Sequence, residues 1–146
     1  YTFISLGDIL CTFLSQLLKS RKKALAIFLW ISLAGILVFL LFPGQTPLAY
    51  YWHCAIMGIG IGYLSLLVTF VSERFGTNLR ATATISAPNF IRGLLPVFVA
   101  PIFLYIKSQS DLITAGVVMG ILCTIIPMIL LLWIKEDYGK SMDWVE

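Results

Sequence analysis

Long apolar runs separated by short polar breaks dominate the chain. Five runs stand out, at about 1–18, 24–42, 48–72, 84–105 and 112–134, followed by a polar tail over 135–146. Each approaches the roughly 20 residues that a helix needs to cross a bilayer. In hydrocarbon the backbone must satisfy its own hydrogen bonds, which leaves helices or closed barrel strands. The runs lack the period-2 alternation of barrel strands. The pattern therefore predicts an all-α fold, a polytopic transmembrane bundle of about five spanning helices.

The breaks differ in chemistry. Lys19 to Lys23 is basic, Pro43 to Pro47 is an uncharged turn, Glu73 to Arg80 carries mixed charge, and Lys107 to Asp111 is a short polar turn. Alternate breaks of a helical bundle lie on the same side of the membrane. One side then collects Lys19, Arg21, Lys22, Lys23, Arg74, Arg80, Lys135 and Lys140, and the other holds only Lys107. Basic residues in short loops stay on the cytoplasmic side, so this asymmetry predicts an inward-facing basic side and a cytoplasmic C-terminus in a cell (inner or plasma) membrane.

Composition agrees with a lipid-facing surface. Hydrophobic residues make up 60% of the 146 positions and charged residues 12%, where a soluble domain carries roughly a quarter. The net charge of +3 comes from the loops, and the basic residues are too few and scattered to track a nucleic-acid backbone. Cys11, Cys54 and Cys123 lie far apart in apolar runs, and His53 is the only histidine. Neither metal-ligand spacing nor a disulfide framework is present in that pattern. His53 follows Tyr50, Tyr51 and Trp52, as in an interfacial aromatic belt. No nucleophile-base motif, P-loop or metalloprotease signature occurs, so no enzyme, cofactor or metal is expected.

Ionisable residues within apolar runs are costly and mark function by default. Asp8 and Arg92 stand roughly 15 Å and 12 Å inside their helices, at 1.5 Å per residue. Asn89, three residues before Arg92, shares its helix face. These three are the candidates for contact with a solute or coupling ion. Plain alternatives are packing for Asp8 and snorkelling to the interface for Arg92. Pro88, Pro96 and Pro101 in the same run predict kinks. The spacing of Gly58 and Gly62, and of Gly116 and Gly120, suits close helix packing. Arg21, Glu73, Arg74 and Arg80 are candidates for a charged gate at the cytoplasmic ends.

Three stretches, in order, resemble the C-terminal half of the major facilitator superfamily. Leu14 to Lys23 resembles the basic loop between the eighth and ninth helices, with Thr12 at the motif's glycine, Gln16 at its acid and Leu17 at its first arginine. The run Glu73-Arg74-Phe75-Gly76-Thr77-Asn78-Leu79-Arg80-Ala81-Thr82 is similar to the segment between the tenth and eleventh, with Gly76 replacing a proline. Glu136 to Met142 resembles the tail after the twelfth, with Lys135 at a proline. The resemblance implies helices eight to twelve of a twelve-helix carrier that moves a small solute by alternating access, secondary active or facilitative, as a symporter or antiporter with a coupling proton or sodium ion or as a uniporter. It also implies a missing N-terminal half, which fits a chain that opens inside apolar sequence at Tyr1. The rival expectation is a small non-transporting membrane subunit or assembly protein.

Overall fold

The computed structural model describes residues 1–42 and 46–134. The chain is an all-helical bundle. Among the described residues, six helices follow one another: α1 (Thr2–Leu17), α2 (Arg21–Leu41), α3 (Pro47–Ile61), α4 (Leu64–Ser72), α5 (Arg80–Gln109) and α6 (Leu112–Trp133). Among the described residues, four stretches are long and apolar enough to cross a membrane, α3 and α4 together forming one of them. This is a multi-pass membrane protein. Helix α1, at 16 residues, is shorter than the roughly 20 that a perpendicular span requires.

Local chemistry explains the boundaries. Helix α1 stops where Lys19 takes a positive φ of 46° and the Ser20 amide donates back to the Ser15 carbonyl at 3.3 Å. Ser20 then caps α2, its hydroxyl accepting from the Lys23 amide at 3.2 Å. That single residue closes one turn and opens the next, so α2 begins at Arg21 and not near residue 24. Thr46 caps α3 in the same manner, followed by Pro47 in the first turn, where its missing N–H costs nothing.

Two expectations need correction. The run over 48–72 is not one continuous helix. After Ile61 the Gly62 amide bonds only three residues back and the Tyr63 amide only two, before the ladder resumes with Leu67 on Tyr63. The run over 84–105 extends at both ends into a 30-residue helix that continues through Pro88, Pro96 and Pro101. Each proline removes one rung of the ladder and crowds the carbonyl four residues before it in the same helix, which bends a helix without ending it.

Helix α2 is the hub, packing on α1, α3, α4 and α6. Its Ala24, Leu25, Phe28 and Leu29 join Cys11, Leu66, Phe70 and Leu131 in the buried core. Close approach depends on glycine. A Cβ on Gly62 would stand 2.4 Å from the Gly7 carbonyl carbon, and one on Gly7 2.5 Å from the Ile59 carbonyl oxygen. Lipid tails give apolar side chains no reason to cluster, so such backbone-to-backbone packing is a main source of helix association. Gly58 lies against Phe3, Gly116 against Leu40 and Gly120 against Ile36. Helix α5 differs from all of these. It packs on α4 and α6, the elements that flank it in sequence, and none of its residues is buried.

Candidate functional site

The crossing of α1 and α3 at Gly7 and Gly62 puts Asp8 beside the break in the third span. Its carboxylate Oδ1 accepts a hydrogen bond from the Ser65 amide at 3.2 Å, in the first turn of α4. A helix N-terminus carries unsatisfied amides and a positive partial charge. An acid there offsets both, at a depth where water is scarce. By helical rise, Asp8 lies about 14 Å and Ser65 about 11 Å from the ends of α1 and α4 that meet the basic loops. Asp8, Thr12, Gln16 and Ser65, with Ile9 and Phe13, line an open groove of 350 Å³. Thr12 Oγ1 donates to the Asp8 carbonyl at 2.8 Å.

Thr12, Gln16 and Ser65 were not among the expected site residues. The signal for two of them is in the sequence, since positions 8, 12 and 16 recur every four residues and so share a helix face. Ser65 has no such signal. Its amide matters because a helix restarts there, and Asp8 meets it only through the tertiary crossing.

At the basic end, Arg21 Nε and Nη2 donate to the two carboxylate oxygens of Glu73, a bidentate pair. The side chains are 16% and 11% exposed, which makes this stronger than an open surface pair. Arg80 donates from Nε to the Ser72 carbonyl at 3.0 Å, at the C-terminus of α4. Arg74 stacks its guanidinium 4.7 Å from the Phe70 ring centroid. Lys22 Nζ donates to the carbonyls of Leu132 and Ile134, at 2.9 and 3.0 Å. These contacts gather the 18–23 break, the 73–79 loop and the end of α6 at one end of the bundle. Lys135, Lys140 and the motif over Glu136 to Met142 lie outside the described residues, as does Gln45.

Arg92 and Asn89 stand exposed on α5. Arg92 is about 18 Å along a helix of about 45 Å, deeper than its place in the shorter run implied. Among the described residues no hydrogen bond or ion pair engages its side chain, and it does not meet Asp8. Pro88, Pro96 and Pro101 lack the amides that the carbonyls of Thr84, Arg92 and Val97 would otherwise meet. Asn89, Arg92 and the freed Arg92 carbonyl thus make a polar stripe partway along α5. His53 Nδ1 lies 2.6 Å from the Ala49 carbonyl and its ring packs edge-on to Phe39, among the exposed Tyr50, Tyr51 and Trp52. Cys11, Cys54 and Cys123 are free thiols, and no three His, Cys, Asp or Glu side chains gather among the described residues.

No family model matches the chain, and no curated protein or solved structure shows significant similarity to it.

Proposed function

We propose that the chain is part of a carrier that moves a small solute across the cell membrane by alternating access, either facilitative or coupled to a proton or sodium ion. The observation that carries this reading is the interrupted third span, whose restarted helix is capped by Asp8 within a polar groove. Broken helices at membrane depth are tolerated where they line a cavity, and carriers use them at their binding sites. Asp8 is the candidate coupling or polar-solute group. Asn89 and Arg92, on the bare face of α5, are candidates for a polar or anionic solute reached when a second half-bundle closes over them. The three stretches that resemble the major facilitator superfamily support this assignment, with the present helices as the eighth to twelfth of a carrier.

The basic end is proposed to be cytoplasmic, on the asymmetry of charge. Single cysteines at Lys22 and Ser108, in a variant lacking the native thiols, test it. Residue 108 should react with impermeant reagent in intact cells and residue 22 only after permeabilisation; the reverse overturns the orientation.

A membrane subunit without transport activity is the second reading, and the exposed length of α5 favours it, since a partner helix would cover that face. The complete gene product in vesicles, given a solute panel under imposed proton and sodium gradients, separates the two. Uptake or export that Asp8→Asn abolishes, with folding unchanged, supports the carrier. Absence of any solute-dependent flux or accessibility change overturns it in favour of the subunit.

A further inference from the structure

The basic end holds a second recess, built from different chemistry than the Asp8 groove. Lys19, Ser20, Lys22 and Lys23 line an open pocket of 510 Å³ together with Ala26, Met128, Leu131 and Leu132. Lys19 comes from the turn between α1 and α2, and Lys22 and Lys23 from the first turn of α2, at the polar boundary of the bundle. The apolar members come from the early turns of α2 and the last two turns of α6, deeper along the helices. Cationic mouth and hydrocarbon wall thus meet in one cavity.

Two details bear on what the pocket holds. Lys22 is fixed at the mouth by the Leu132 and Ile134 carbonyls, which orients its ammonium between α2 and α6. Lys19 is the one non-glycine residue with positive φ among the described residues. It closes α1 at the position where helices ordinarily place glycine, with its amide on the Gln16 carbonyl and the Ser20 amide on the Ser15 carbonyl. A side chain there is disfavoured by about fivefold in the folding equilibrium. Strain of this kind at a pocket rim is a pointer to use.

We infer that this pocket binds an anionic glycerophospholipid, its phosphate held by Lys19, Lys22 and Lys23 and its acyl chain laid against Ala26, Met128, Leu131 and Leu132. Basic pockets between transmembrane helices hold such headgroups. Inorganic phosphate has the charge but nothing to occupy the apolar wall, so the cavity fits the lipid.

The test uses the full chain in a neutral detergent, with binding read by native mass spectrometry and thermal stability. Phosphatidylglycerol should bind and stabilise, while phosphatidylcholine of the same chains and inorganic phosphate at equal ionic strength should not. Lys19→Gln with Lys23→Gln should weaken phosphatidylglycerol by about 30-fold, about fivefold per lysine near the headgroup. Lys107→Gln at the opposite end should leave it unchanged. Ala26→Phe fills the pocket without altering charge and should also weaken binding. Lys19→Gly should raise lipid-free stability while lowering lipid affinity, opposite signs that a purely structural lysine would not give. Equal binding of the two lipids, stabilisation by phosphate alone, or full affinity in either the double lysine variant or Ala26→Phe overturns the assignment.

Discussion

Helices α2 and α5 are both long, apolar and rich in aliphatic residues, yet they live in opposite surroundings. Helix α2 buries seven residues against four neighbouring helices. Helix α5 buries none, though it is nine residues longer by the ranges Arg21–Leu41 and Arg80–Gln109. The difference lies in what each carries. Inside the membrane α2 has no ionisable residue and offers Ala24, Ser32 and Gly35 as flat surfaces for close approach. Helix α5 carries Arg92, Asn89 and three prolines. Hydrophobicity is common to both and decides neither; small residues draw a helix inward, and polar ones leave it waiting for a polar partner.

The contrast is most sharply tested with glycine. Gly62→Leu puts a side chain where the backbone of Gly7 already stands. It should cost about 3 kcal/mol or more, the upper range of overpacking, and in detergent the bundle should melt far earlier or fail to assemble. Gly93→Leu on α5 meets open space within 4 Å. It should leave the melting temperature unchanged or raised, because leucine is the better helix former. A large loss at Gly93 would mean that this face of α5 is packed after all.

Arg92 probes the other half of the comparison. If its face serves a solute path, Arg92→Leu should abolish flux in the complete gene product while stability rises, since removing a mid-membrane charge relieves about 2.5–3.5 kcal/mol on insertion scales. Arg92→Lys keeps charge and loses the planar fork, so it should transport poorly. Wild-type flux in Arg92→Leu would reduce the residue to a snorkelling charge.

The smallest effect is expected at the ends. Glu73→Gln removes the charged acceptor of Arg21 and should weaken that contact by about 1–3 kcal/mol. Cysteine accessibility from the basic side should rise while helix content by circular dichroism stays constant. Unchanged accessibility would show that the pair is ornamental to the gate.

Helices were legible because length and the lack of alternation suffice to recognise them in a membrane chain. Asp8 and Arg92 were legible as costly charges. What could not be read was their setting. The spacing of Gly58 and Gly62 was legible as a packing surface but not as a break, and Gly62 meets Gly7 at the residue just after α3 ends. Prolines at 88, 96 and 101 pointed to kinks, and the helix runs through all three without ending. Glu73 had three candidate arginines within reach of the same loops, and only tertiary geometry selects Arg21.

Arg21 and Lys22 are consecutive, yet one binds Glu73 at the end of α4 and the other the carbonyls ending α6. The two contacts therefore share a single rigid support, the first turn of α2. When either opens, the other keeps its partners at high effective concentration, and reclosure is intramolecular. Parting this end of the bundle requires both to be open together. If each contributes about 1 kcal/mol, the doubly open state is about 30-fold rarer than closure. Loss of one bond should then raise the open population about fivefold and loss of both about 30-fold, a graded response in two equal steps.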